Sequence, residues 1–464
     1  MSYDPLRKYR CTIIRGKAQK EIEDLIPQYC QIIHSLCPCD TDDFKTSFDD
    51  ELSRLMYDNT PFEELSDGHK KVIRNHRTEI AGKLYALYYI EEGRAIESPL
   101  CKLYVETGNI PALFKSLCLN FQFPNGSQKL QQTVKDNILA GLRLRPYHFI
   151  LQLLHLANKK KLSLTCKEIG VYVLNSLDVL QGKVTPLEVL TRIIKDKANG
   201  CGLPYKLMAT SKDYQHIREQ INFLSLANLI CVEGRENMIK LNTEEPILKT
   251  FLKESYTDIW ERVYEAYDAD TNYVSRSLET EWMKHVSTIR VSKKALTLLS
   301  FEFVGGEKLR TYSTKEIGDQ GESIVVDFEK KRLIELGISD PNVKWVASQK
   351  GLGYDVESVG LVESGVQIPS RFIEVKATTR ITKPDSQSLK FMFSFNLTRN
   401  EWHAAETYLD EFYIYVVSLS RLNRTIYMFK NPYKKYHEGK LSLSAPTYNV
   451  KISTEHIDSK MKFQ

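Results

Sequence analysis

No stretch of the chain runs apolar and uninterrupted for anything near the ~18 residues needed to cross a bilayer. The N-terminal residues, Met1 to Lys8, lack the apolar run of a secretion signal, so a cytoplasmic protein with no membrane contact is expected. No Cys-x-x-Cys pair occurs. The nine cysteines all lie in the first half, and the one close pair, Cys37-Pro38-Cys39, has no second pair to complete a four-ligand zinc site. Reduced thiols are the expectation. Low-complexity tracts and repeats of fixed period are also missing. A one-sided charge is lacking too: 64 Lys and Arg face 59 Asp and Glu, so bulk charge does not argue for a nucleic-acid partner and local clusters must make that case.

What is present is a globular balance, 42% hydrophobic and 27% charged, over 464 residues, a length that suits about three domains. Basic residues gather at Arg7 to Lys20, at His69 to Arg77 and at Lys159 to Lys161. Any one of these also reads as a solvated face.

Apolar spacing predicts a helix over about 18–37, through Ile22, Leu25, Ile26, Cys30 and Ile33, with the acidic run Asp40 to Asp50 expected to interrupt the pattern. A second helical pattern runs from Asp67 to Ile90 and ends in Tyr88 to Ile96, which alternates around a Glu92-Gly93 turn as a hairpin does. The same grammar returns at Lys212 to Leu229, followed by strand, turn and strand over 229–241. Helix then hairpin is the layout of a winged helix, whose helix enters a major groove. On that layout Lys70, Lys71, Arg74 and Arg77 form one candidate DNA-binding set. Lys212, Gln215, His216 and Arg218, beside Glu219, form another that mixes donors and acceptors as base-edge readout requires.

Between about 255 and 315 the chain turns aromatic, with Trp260, Tyr264, Tyr267, Tyr273 and Trp282, and the Gly305-Gly306 pair punctuates it. The main boundary is expected here. From Thr314 the pattern becomes α/β: a helix over 316–336 ending at Gly337, strand-like runs at 343–347, 354–359 and 371–377, a helix opened by Thr398 with Glu401 completing a capping box, and a last strand at 412–417. Strand alternation sends Ile373 and Val375 to one face and Glu374 and Lys376 to the other. A hairpin turning near Gly365 would set Asp355 opposite Val375, bringing two carboxylates within a few ångström, where a divalent cation is held comfortably. Lys376 would orient water or stabilise a phosphorane, with Glu322 as a third acid. The alternative for Glu374 and Lys376 is an ordinary ion pair on an exposed strand. Trp345 and Trp402 read as core.

Helix Glu322, Gly353-Tyr354-Asp355, then Glu374-Val375-Lys376 nineteen residues on resembles the PD-(D/E)XK nuclease superfamily, over about 314–420. In particular it is similar to the branch related to archaeal Holliday-junction resolvases and to a domain often found at the C-termini of large bacterial and plant proteins. Arg10 to Lys17, Asn75 to Lys83, Phe121 to Gly126 and Tyr172 to Leu177 resemble segments of the recognition region of BpuJI-type restriction endonucleases, spread over about the first 250 residues. The resemblance implies catalytic residues Glu322, Asp355, Glu374 and Lys376, and Mg2+ held at Asp355, Glu374 and Val375.

The expected fold is therefore multidomain. Its N-terminal half is mainly α with winged-helix subdomains over 1–145 and 146–285, and 286–464 is an α/β PD-(D/E)XK nuclease domain with a central mixed sheet. The expected function is a type II restriction endonuclease that reads a short double-stranded DNA site and hydrolyses phosphodiester bonds as a homodimer, alongside a cognate DNA methyltransferase. The alternatives are a structure-specific or modification-dependent DNA nuclease, or a DNA-binding regulator with a degenerate nuclease domain.

Overall fold

The computed structural model describes residues 9–127, 131–208, 210–253, 262, 274–301, 310–312, 314–349, 351–359, 362–363, 366–367, 370–380, 395, 397–420, 423–441 and 443. In the aromatic stretch at 255–315, Trp260, Tyr264, Tyr267, Tyr273 and the Gly305-Gly306 pair lie outside the described residues, as does the turn at Gly365.

Helix α1 (Gln19–Leu36) buries the predicted stripe, and strand β1 (Cys39–Asp40) follows it. The acidic run expected to break the pattern is instead the start of α2 (Thr41–Met56). Asp40 caps it, accepting the Asp42 amide at 2.7 Å, and Asp42 and Asp43 sit at the positive end of the helix dipole. Phe44, Phe48 and Leu52 recur at i, i+4 and i+8 and bury the opposite face. The acidic run is the charged first turn of a helix and not a break.

Helix α3 (Asp67–Asn75), capped by Ser66, winds on as a π-helical stretch over His76–Leu84 and feeds the hairpin of β2 (Tyr88–Glu91) and β3 (Arg94–Glu97). Glu92 and Gly93 turn it with φ of 49° and 77°, the left-handed pair that a two-residue hairpin demands. β1 pairs with β3, making a three-stranded sheet of order β1-β3-β2. A second unit repeats this order. Helix α4 (Pro146–Lys159), strand β4 (Leu164–Thr165), helix α5 (Cys166–Ile169), helix α6 (Lys212–Leu226), and hairpin strands β5 (Ile230–Glu233) and β6 (Met238–Leu241) give a sheet of order β4-β6-β5.

The two units share one core, which runs from Cys11 to Leu296 without a break. The segment before α1 laces them together. Arg10 pairs with Asp213 on α6 and Arg15 with Glu79 beyond α3, while Gln220 on α6 donates to the Cys11 carbonyl at 2.7 Å. All nine cysteines are free thiols.

The C-terminal half is a five-stranded mixed sheet of order β11-β10-β9-β8-β7, built from β7 (Val343–Trp345), β8 (Val356–Ser358), β9 (Arg371–Thr378), β10 (Phe412–Ser420) and β11 (Asn423–Lys430). Only β9 and β10 run parallel. Helix α7 (Thr314–Glu335) packs on one face, over Ile373 and Val375, and helix α8 (Arg399–Tyr408) covers the other. Strand β11 lies beyond the last strand that the sequence predicts. It is a half-buried edge with Met428 in solvent, so its apolar alternation is weak.

Trp345, expected in the core, is 54% exposed on the edge strand β7, whereas Trp402 is half-buried against the α8 core. The two halves meet at a buried ion pair, Asp24 of α1 with Arg380 just past β9 at 2.5 Å. A 410 Å³ cavity lined by Glu23, Tyr104, Leu299, Lys376 and Arg380 lies between them.

Candidate functional site

Two glycines set the geometry around β9. A Cβ on Gly321 of α7 would stand 3.0 Å from the Ala377 Cβ, so glycine lets the helix lie against β9 and carry Glu322 to the strand. Gly353, with φ of +77°, would place a Cβ 2.3 Å from the Asn400 carbonyl, so glycine there admits the first turn of α8 beside Asp355.

The strand register differs from the expected one by one residue. Val356 stands opposite Ile373, and the ladder ends there. Asp355 leaves it, giving its amide to the Ile373 carbonyl at 2.9 Å, while its Oδ2 accepts the Val375 amide at 2.8 Å. A residue directly opposite Val375 would share that side chain's face, away from Glu374. The slip turns the Asp355 carboxylate into hydrogen-bonding contact with Glu374.

Glu374 is 4% exposed because α8 covers its face of the sheet. Burial pushes its carboxyl up to about 8, Lys376 draws it back, and the Asp355 and Glu401 charges push it further. Burial also raises Asp355, against the Val375 amide and the Lys376 charge. Lys376 donates to Glu374 Oε1 at 2.7 Å and to Glu401 Oε2 at 3.1 Å. Burial opposes its charge, but the two carboxylates outweigh that and hold the ammonium above its ordinary range. Glu322 accepts the Trp345 indole N–H at 2.5 Å, and burial with Asp355 and Asp319 nearby raises it.

Asp355, Glu374 and Lys376 thus lie within mutual electrostatic reach, and Glu322 is within reach of Asp355 and Lys376. Two more belong with them that the sequence did not single out for this place: Glu401, which carried only a capping signal, and Trp345. Among the described residues no group of three or more His, Cys, Asp and Glu gathers closely enough to hold a metal ion. The oxygen donors on hand are the Asp355 and Glu374 carboxylates and the main chain of Val375.

On the N-terminal half, Lys71 and Arg74 are exposed on α3. Lys70 pairs with Glu63 at 3.2 Å, and Arg74 lies over the Phe62 ring. Arg77 departs from the expected set. It is 7% exposed and forked onto Asp49 at 2.8 and 3.1 Å, four residues after buried Ile73 and so on the same inward face. On α6, Lys212 and Gln215 are exposed, Gln215 donates to Glu219 at 2.8 Å, His216 lies 3.5 Å from Glu219, and Arg218 reaches Asn237 at the hairpin turn.

Among solved structures, one described as a crystal structure of pyrene- and phenanthrene-modified DNA in complex with the BpuJ1 endonuclease binding domain is similar. It is 37% identical with a TM-score of 0.53, and the match covers 62% of this chain and 100% of that one. Residues 321–429 match the family described as Protein NO VEIN, C-terminal. A comparison with curated proteins finds none that matches. Residues 3–283, more than half of the sequence, match the family described as Restriction endonuclease BpuJI - N terminal, and the chain belongs to that family.

Proposed function

We propose that the protein is a type II restriction endonuclease, which reads a short duplex DNA site with its N-terminal half and hydrolyses phosphodiester bonds with its C-terminal half. One observation carries this reading: a chain of the BpuJI N-terminal family also pairs a half-buried Asp355 with a buried Glu374 that has Lys376 on its own strand. The two helix, strand, helix and hairpin units are read as winged helices. Lys70, Lys71 and Arg74 then face one groove, and Lys212, Gln215, His216 and Arg218 face the other. Arg77 is left out of the DNA contacts, since Asp49 engages its guanidinium.

The C-terminal half is read as a PD-(D/E)XK domain. Its donor set suits Mg2+, which keeps several waters and needs only one or two carboxylates from the protein: Asp355, Glu374 and the main-chain carbonyl of Val375 would hold it. The upward push on both carboxylates supports that fit, because a cation relieves it. When bound, the ion would lower the pKa of a water and neutralise phosphate charge. Lys376 keeps its proton and offers an N–H to the attacked phosphate, and Glu322 stands at the edge as a further acid.

Cutting two strands calls for two such sites, hence a homodimer on DNA, and protection of the host calls for a cognate methyltransferase. The test is digestion of unmethylated DNA of known sequence with Mg2+, followed by mapping of the ends. Cuts clustered at a fixed distance from one short sequence support the proposal, and random ends or intact DNA refute it.

A further inference from the structure

Glu401 opens α8 in a capping box with Thr398: its amide donates to Thr398 Oγ1 at 3.3 Å, and its own Oε2 accepts the Thr398 amide at 2.8 Å. The same Oε2 also lies 3.1 Å from Lys376 Nζ. A cap asks for an acceptor at this position, and glutamine serves as well as glutamate. The ammonium asks for more. It has three N–H groups, and Glu374 and Glu401 take two of them, which fixes the direction of the third by tetrahedral geometry. Without Glu401, Glu374 would be the ammonium's one partner among the described residues, and the ammonium would swing about that contact.

We infer that Glu401 is a positioning residue of the nuclease site, which aims the free N–H of Lys376 at the phosphate and ties that aim to the first turn of α8. This rests on the nuclease reading above. Gly353 serves the same end, because only without a Cβ there does the first turn of α8 come close enough.

The test compares full-length wild type, Glu374→Ala, Glu401→Gln and Thr398→Ala for melting temperature without metal, affinity for duplex DNA without metal, and cleavage with Mg2+. Glu401→Gln keeps the cap and loses the carboxylate. It is expected to melt and bind DNA as wild type does, with KM unchanged and kcat about 10- to 100-fold lower, the cost of a misaimed group. Thr398→Ala loses the cap side chain and keeps the carboxylate, so it melts about 3 °C lower while kcat stays within about twofold. A wild-type kcat in Glu401→Gln overturns the inference. So does a joint fall of melting temperature and kcat in both variants, which marks Glu401 as a cap alone. Cleavage by wild type and none by Glu374→Ala keeps the nuclease reading standing whatever Glu401→Gln does. No cleavage by wild type ends that reading and this inference with it.

Discussion

Replacing Glu374 by glutamine tests the electrostatics of the site without any assumption about DNA. In the metal-free fold this carboxyl rises from 4.5 to about 8, burial being the main cause. A carboxyl raised on folding is bound more tightly to its proton in the folded state. Its contribution is therefore whole below about pH 4.5, is lost progressively as pH climbs to about 8, and is gone above that. At about 1.4 kcal/mol per pH unit the gap amounts to about 5 kcal/mol, a ceiling because Asp355 and Lys376 readjust. About 2 kcal/mol of it falls between pH 6 and pH 8, enough to lower the melting temperature of a domain this size by roughly 4–8 °C. Glutamine mimics the protonated acid, since its amide can still donate toward Asp355, and has nothing to ionise. Calorimetry in chelator from pH 6 to 9 should show the C-terminal transition of wild type sliding down with pH while that of Glu374→Gln stays level by comparison. Saturating Mg2+ should flatten the wild-type curve. Parallel curves for the two proteins in chelator would refute the reasoning, for they would mean that Glu374 ionises in the fold as readily as in water.

Asp355→Ala should lower cleavage at least about a thousandfold while leaving DNA affinity unchanged, by gel shift in chelator, since it unmakes the donor pair without altering any side chain on α3 or α6. Lys376→Ala should cost about 10²–10³ in rate yet keep Mg2+ uptake by calorimetric titration; loss of the ion in this variant but not in Asp355→Ala would reverse the assigned roles. Arg77→Ala should destabilise the N-terminal half by about 3–5 kcal/mol in denaturant, because it strands the buried Asp49 charge. Arg74→Ala should leave stability within about 0.5 kcal/mol and instead reduce the salt slope of DNA binding by about one, a contrast absent if both arginines face DNA.

The sequence made parts of this molecule plain and hid others for identifiable reasons. Both helix and hairpin units were legible because a Glu92-Gly93 or Gly234 turn between alternating runs leaves little else to form. Glu374 and Lys376 were legible through the period of two along β9. The register of Asp355 was not, because a carboxylate that takes the Val375 amide lets the chain leave the ladder, and no local pattern announces that. Arg77 resembles its neighbours Lys70 and Arg74 in charge, but it follows the apolar Ile73 by one helical turn and meets the buried Asp49 of α2, a partner that no local pattern announces. Trp345 was assigned to the core on hydrophobicity alone, but β7 is the edge of its sheet and the indole N–H had a carboxylate to meet.

The unbroken core from Cys11 to Leu296 bears on how recognition in such a protein can change. Where two reading units hang on a linker, inserting residues moves one along the DNA relative to the other. Here α3 and α6 are set against each other by shared apolar packing and by the strap from Arg10 to Arg15, so that, on the proposed reading in which both helices address DNA, the step between their base pairs is cast into the interior. Single side chains on either helix can be exchanged to alter one letter of the site, but respacing the letters requires recasting the interior itself.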